Sequence, residues 1–490
     1  MTNKVGYIPR DERKKILFIS DSVTGVSGVA NVARSLIAGT AHHYNYINIG
    51  VSQNPNVKGH TVDLCESVNK EVGIEDSYVK TFQWDKYDDV DIIKKVLEVE
   101  KPDLLLFITD PRYFQGLFPI SKEIQYGGVN GKKTPLCYIQ IWDELTPPFY
   151  NRSAWSSVNM SLCISKQTKL MNEIVLGNRA ENIKLEYFPH GVNTNKFKPL
   201  DISDEKISSL KESFFGKGSE VDFVLFFNSR NIYRKNIPTA LLAFKAFLRN
   251  LPKEKADKCR FVLHTQPVDN NGTDLYAVVD SIFGPDKHLV VFDQHLCSEE
   301  DLNVRYNMAD ATILISEAEG FGLSGLESIA AGTPIIVNMT GGMQDYCNIK
   351  GDDDKWFTPN EKVWSNHNKT YEDMGSWVFP VFPATMTIVG SVPTPYIFSS
   401  RCDFRDVAEQ VNFVYNTPKE DLEEFGLEGR DWIMTDEVGM TTDHMCTNFI
   451  KHVDDLLENW EPLPQYDIIL MDGKEILNYV EIPDYLFNKN

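Results

Sequence analysis

The chain has 490 residues, 42% of them apolar and 24% charged, which is too long for one hydrophobic core and too ordinary in composition for a disordered or fibrous protein. Its net charge of −21 is unevenly spread: residues 1–200 hold 24 Lys and Arg against 22 Asp and Glu, and the remainder holds 25 against 48. The acidity belongs to the second part, so whole-chain charge does not exclude an anionic partner for the first.

The first fifteen residues end in Arg10-Asp11-Glu12-Arg13-Lys14-Lys15 and lack the apolar centre of a signal peptide. No apolar run reaches bilayer length, and a cytoplasmic location is the expectation. Eight cysteines stand singly, none at C-x-x-C spacing, and runs such as Leu136-Cys137-Tyr138 predict buried reduced thiols. The neighbouring His42 and His43 lie in a polar setting after the first helix and are expected in solvent.

Short apolar runs alternate with helical patterns along most of the chain, which predicts parallel sheets covered by helices on both faces. In the first part, strands are expected at 16–19, 46–49, 104–108, 136–141, 162–164 and 185–188. A charged stretch at 196–220 reads as a connection with a short helix. The rhythm then restarts, with strands expected at 223–227, 261–263, 289–292, 312–315 and 334–337. This divides the chain into an α/β domain at 1–195, a linker at 196–220, a second α/β domain at 221–440 and a last piece at 441–490. Beyond residue 345 the pattern weakens. A turn is expected at 351–354, a long ordered loop at 380–396, helices at 406–415 and 445–460, and a hairpin at 468–470 and 476–480.

Doubly wound sheets bind ligands at the carboxyl ends of their strands, so the strand-end segments carry the chemistry. After the first strand, Asp21-Ser22-Val23-Thr24-Gly25-Val26-Ser27-Gly28 leads into a helix. Its G-x-x-G is not the dinucleotide fingerprint G-x-G-x-x-G, and Asn48-Ile49-Gly50 ends the next strand where a ribose-binding acid would stand. These two features argue against an NAD enzyme. Asp110-Pro111-Arg112-Tyr113 and Trp142-Asp143-Glu144 end two further strands, as caps or as lining of a cleft. Arg34, Arg112, Lys132, Lys133 and Arg152 are cations available to an anionic acceptor.

The most informative stretch is Ile315-Ser316-Glu317-Ala318-Glu319-Gly320-Phe321-Gly322-Leu323-Ser324-Gly325-Leu326-Glu327. A strand ends, a glycine-rich turn follows, and a helix begins near Ser324. Free N–H groups at that helix start suit a diphosphate, and Gly320 and Gly322 allow close approach of a ligand to backbone. Glu319 can accept sugar hydroxyls from the turn. Glu327, eight residues on, faces the ligand from about two helical turns in. The turn at 352–354, three aspartates in a row, follows no strand and reads as a solvated acidic turn rather than a metal site.

The stretch resembles the E-x7-E region of retaining glycosyltransferases, family 4 above all. The likeness continues through Ala330-Ala331-Gly332-Thr333-Pro334 and Gly341-Gly342. Arg230-Asn231-Ile232-Tyr233-Arg234-Lys235-Asn236 resembles the family's R-x4-K element, with Asn236 where the family usually has Gly. The loop carrying Gly28 resembles its glycine loop, and Phe188-Pro189-His190-Gly191-Val192-Asn193 its crossover into the second domain. The family often places His after the strand that here ends in Trp142-Asp143, so Asp143 is the substitute expected at the sugar.

The resemblance implies a GT-B architecture: two Rossmann-like doubly wound domains facing a central cleft, with a C-terminal helix crossing back. It implies a retaining, metal-independent transferase without a cofactor, using a nucleotide-sugar co-substrate such as a UDP- or GDP-sugar. The implied catalytic set is Arg230, Lys235, Glu319 and Asp143. Gly28, Gly320, Phe321, Gly322, Leu323, Ser324 and Glu327 would bind the donor, while Asp110, Arg112, Trp142 and His190 would flank the acceptor. The Trp-Asp element and Ile388-Val389-Gly390-Ser391 resemble a subgroup often encoded by large tailed phages. That likeness implies a hydroxymethylated DNA base as acceptor, with a surface glycan or small metabolite as the alternative. A degenerate binding module of the same fold would have lost Glu319, Arg230 or Lys235, and all three are present.

Overall fold

The computed structural model describes residues 6–201, 203–464 and 483. The first sheet has eight strands: β1 (Lys14–Asp21), β2 (Tyr44–Val51), β3 (Thr61–Asp63), β4 (Val79–Trp84), β5 (Leu104–Thr109), β6 (Leu136–Gln140), β7 (Met160–Cys163) and β8 (Lys184–Tyr187). Their spatial order is β3-β4-β2-β1-β5-β6-β7-β8, all parallel except the β3–β4 edge pair. The second sheet is built from β9 (Phe223–Asn228), β10 (Cys259–His264), β11 (Val290–Asp293), β12 (Ala311–Leu314), β13 (Ile335–Asn338) and β14 (Val378–Val381). It is parallel throughout, in the order β11-β10-β9-β12-β13-β14. Central strands such as Ile16 to Ile19 and Val224 to Phe227 are buried on both faces, which is why they read as unbroken apolar runs.

The order of each sheet reverses beside its first strand, between β1 and β5 and between β9 and β12. Loops leaving neighbouring strands diverge there and open a crevice. The glycine loop and the Asp110 segment leave β1 and β5, and the Arg230–Lys235 segment and the Glu319 turn leave β9 and β12. All four motif segments are therefore brought to switch points by topology alone.

The last described helix, Thr442–Asn459, returns to the first domain. The Tyr44 hydroxyl donates to Asp454 at 2.7 Å, and His43 holds Gly6 O at 2.8 Å and Asp454 at 2.9 Å. This packing corrects the expectation for the paired histidines: both are buried, and His43 is held by a helix some 400 residues away in sequence.

Three strands of the two large sheets were missed. β4 alternates apolar and polar residues among charges, and β3 and β14 are short edge pieces; β14 tolerates Pro380 because an edge strand need not donate every N–H. The expected loop at 380–396 is instead an antiparallel hairpin of β15 (Thr385–Ser391) and β16 (Thr394–Arg401). Pro395 falls at the register irregularity opposite Val389–Ser391, outside the paired positions of the ribbon. The hairpin is rooted in the second domain, where the Ser400 amide donates to Glu317 O at 2.9 Å and Asn338 donates to Ser400 O at 2.9 Å. It reaches the first domain through the Tyr150 hydroxyl, which donates to Tyr396 O at 3.2 Å. All eight cysteines are free. No helix among the described residues is long and apolar enough to cross a membrane. The expected hairpin at 468–470 and 476–480 lies outside the described residues.

Candidate active site

Helix Leu323–Ala330 begins at Gly322, whose φ of +85° places it in the left-handed region, and no side chain caps it. Its first N–H groups are thus left for a ligand. Gly28 opposes it from the first domain: a Cβ there would lie 3.7 Å from Leu323 Cδ1. The glycine loop is held by Arg34, which donates to Val23 O at 2.9 Å and Gly25 O at 2.5 Å. Asp21, at its start, receives the hydroxyls of Ser27 and Tyr87.

Glu319 lies beneath this helix start, on the turn that Gly342 locks by donating its amide to Glu319 O at 2.9 Å. Its Oε2 accepts from Arg234 Nη1 at 2.7 Å and from Lys235 Nζ. Burial alone would raise the Glu319 pKa, but the two cations outweigh it and hold the carboxyl down at about 2. Glu319 is therefore ionised at any physiological pH. Lys235 feels the converse: burial and the Arg234 charge lower its pKa against the pull of Glu319.

The cations differ from expectation in one respect. Arg230 does not join Lys235; it forms a two-pronged pair with Asp269 at 2.7 and 3.2 Å, and its side chain is 63% exposed. Arg234 occupies the place beside Lys235 instead. The spacing R-x4-K pointed to Arg230, and only the turn Tyr233–Lys235 reveals Arg234 as the inward residue. Asn236, where the resemblance has Gly, has a φ of +57°, a left-handed conformation that Asn tolerates better than most residues.

Glu327 accepts the Tyr306 hydroxyl at 2.7 Å. Burial pushes its pKa up to about 7 despite that bond. Tyr306 itself accepts from Asn228, at the end of β9, at 2.8 Å.

On the facing domain, Asp143 comes within 3.5 Å of Arg234 Nη2, and a Cβ on Gly320 would lie 2.7 Å from its Oδ1. Gly320 is glycine because the other domain's carboxylate rests on it. Trp142 belongs to the core: it is 4% exposed and packs edge-on against Trp155 and Tyr150, anchoring the loop that presents Asp143. The neighbouring Glu144 is buried, and burial together with Asp143 raises its pKa well above the usual range. Asp110 caps the next turn by accepting the Arg112 amide at 2.9 Å and pairs with its guanidinium at 3.3 Å. Burial raises its pKa too.

His190 is buried edge-on against Phe321, with ring centroids 5.3 Å apart, and burial lowers its pKa to about 4. It is neutral at pH 7 and packs behind the turn that carries Glu319. Of the cations offered to an anionic acceptor, Lys132 holds Asp103 at 2.9 Å and Arg152 donates to Val175 O at 2.6 Å. The turn at 352–354 is exposed, with Asp353 paired to Lys355 at 2.9 Å. No group of three or more His, Cys, Asp or Glu among the described residues could hold a metal ion.

Residues 203–363 match the family described as family 4 glycosyltransferases in conflict systems. The fold is similar to that of a glycosyltransferase from Rickettsia africae ESF-5, with a TM-score of 0.59 and 14% identity over 91% of this chain and 100% of that one. Anabaena HepE in complex with UDP and glucose gives the same four values. For the α,α-trehalose 6-phosphate synthase of Burkholderia multivorans the TM-score is 0.61 at 11% identity, over 91% and 99% of the two chains. No curated protein matches the sequence. The chain thus has the GT-B glycosyltransferase fold over nine-tenths of its length and resembles family 4 over residues 203–363.

Proposed function

We propose that the protein transfers a sugar from a nucleoside diphosphate sugar to an acceptor hydroxyl with retention of configuration and without a metal ion. The observation that carries this reading is Glu319, ionised and held on one oxygen by Arg234 and Lys235 below an uncapped helix start. Its other oxygen is left to accept sugar hydroxyls. Lys235 and the helix N–H groups stabilise charge that develops on the departing diphosphate, which is the largest demand of the reaction. Arg230 joins them only by leaving Asp269. The bond from the anomeric carbon to phosphate breaks as the acceptor oxygen bonds on the same face, and the acceptor proton passes to the departing phosphate oxygen. No strong base is required, and closure of the domains supplies alignment. HepE, a fold relative, is described with UDP and glucose, which supports a UDP-sugar as the first donor to test.

For the acceptor, the sequence likeness favours a hydroxymethylated DNA base. A second reading, a neutral hydroxyl-rich glycan or metabolite, is favoured by the carboxylates of Asp110 and Asp143 on the acceptor side and by the internal partners of Arg34, Arg112, Lys132 and Arg152. A nucleotide-release screen over UDP- and GDP-sugars, with hydroxymethylcytosine DNA and simple glycans as parallel acceptors, tests both. Release with glycans and none with modified DNA removes the DNA reading; no release with any donor removes the transferase reading.

A further inference from the structure

Arg234 fills an unspecified position of the R-x4-K motif, yet it is the cation that touches both halves of the cleft. Its Nη1 donates to Ala318 O at 2.7 Å and to Glu319 Oε2 at 2.7 Å. Its Nη2 lies 3.5 Å from Asp143 Oδ2, on the loop after β6 of the other domain. Its carbonyl accepts the Glu317 amide at 2.7 Å, so the turn that carries it is fixed to the strand end that carries Glu319. Asp143 in turn rests on Gly320, where even one added carbon would clash at 2.7 Å. The result is a row of alternating charges, Lys235, Glu319, Arg234 and Asp143, that begins in the donor turn and ends in the acceptor domain.

The two domains also meet away from this row. The Lys166 amide donates to Asp345 at 2.9 Å and the Tyr150 hydroxyl donates to Tyr396 O at 3.2 Å. Those contacts touch no donor-turn carboxylate. The Arg234–Asp143 contact does.

We propose that Arg234 is a positioning residue that latches the closed cleft, tying Asp143 of the acceptor domain to Glu319 of the donor turn so that closure and alignment at the sugar occur together. The inference rests on the transferase reading for its kinetic part and on the geometry alone for its closure part. Both partners are partly exposed, with side chains 34% and 27% accessible, so the contact can open and reform without unfolding either domain. A guanidinium is suited to the role because one planar group reaches two carboxylates and a carbonyl at once, which a lysine ammonium does less well.

The test combines Arg234→Gln, Arg234→Lys, Asp143→Asn and the double variant Arg234→Gln/Asp143→Asn. Small-angle scattering with and without UDP reports closure, and steady-state kinetics report its use. The latch predicts that UDP contracts the wild type, and that Arg234→Gln and Asp143→Asn contract less. It predicts kcat lower by tenfold or more in Arg234→Gln, a donor KM within about threefold of wild type, and partial rescue in Arg234→Lys. The double variant should be no slower than the slower single one, because residues acting through one contact are non-additive. Multiplying effects in the double variant, or normal contraction and kcat in Arg234→Gln, would overturn the latch while leaving the transferase reading intact. If no nucleotide sugar turns over even in the wild type, the transferase reading fails instead. Scattering without ligand then decides the latch: a larger radius of gyration in Arg234→Gln supports it, and an unchanged one refutes it.

Discussion

Replacing Glu319 by glutamine keeps the shape of the side chain and removes its charge. Two cations bind that charge, Arg234 at 2.7 Å and Lys235, and the Glu319 and Lys235 side chains are only 12% and 13% exposed. At an effective dielectric near 20, unit charges about 4 Å apart interact by about 4 kcal/mol. The variant loses two such attractions and leaves Arg234 and Lys235 to repel each other. In return it avoids desolvating a carboxylate. Breaking a buried ion pair from one side nets about 3–5 kcal/mol of destabilisation. For a domain of this size, that is at least about 6 °C in the melting of the second domain, at roughly 2–4 °C per kcal/mol. The sign with pH follows from the depressed pKa of about 2, against 4.5 for a free Glu. The stabilisation is fully present above pH 4.5 and is lost as pH falls through 2, so wild type and variant should converge in acid. Calorimetry at pH 7.5 and at several values below 4.5 measures both effects. Adding Lys235→Met to Glu319→Gln should recover part of the loss. A variant that melts within 2 °C of wild type at pH 7.5 would refute the claim that Glu319 is the counter-ion of this cluster.

Lys235→Ala should lower kcat by about a hundredfold or more, as does loss of a charge-stabilising donor elsewhere; near-normal kcat at saturating donor would take Lys235 out of the reaction. Burial lifts Glu327 to about 7, above the 4.5 of the unfolded chain, so this group costs stability as pH rises from about 4.5 to 7. The same ionisation frees it to accept donor hydroxyls, and the donor KM should fall between pH 6 and 8 in wild type but stay flat in Glu327→Gln. Turnover should survive EDTA; complete loss restored by Mg²⁺ or Mn²⁺ would show that the cations and helix start are not sufficient. Gly320→Ala should bind UDP yet transfer slowly, because its methyl group would meet Asp143 and hold the cleft open.

Much of the Glu319 turn was legible because it is written locally. A strand of apolar residues, a turn with two glycines and a helix start stand within the seventeen residues from 311 to 327, and Glu319 and Glu327 lie inside them. The partners of that turn were not legible, since they come from distant chain. Which arginine faces inward depends on Asp269, whose carboxylate draws Arg230 out to solvent and leaves the site to Arg234. The burial of His43 depends on the returning helix at Thr442–Asn459, and the role of Trp142 on Trp155 and Tyr150 behind it. The hairpin of β15 and β16 escaped because prolines argue against central strands, and neither strand is central.

Retention of configuration is read most directly from the fate of the anomeric carbon. Proton NMR of the reaction with a nucleotide sugar and its acceptor records the configuration of the first-formed glycosidic bond, and phosphorus NMR records the nucleoside diphosphate released with it. The account predicts one nucleoside diphosphate per bond and the same anomeric configuration in product as in donor, with both signals lost in Lys235→Ala. An inverted product, or a glycosidic bond formed without nucleoside diphosphate, would contradict it.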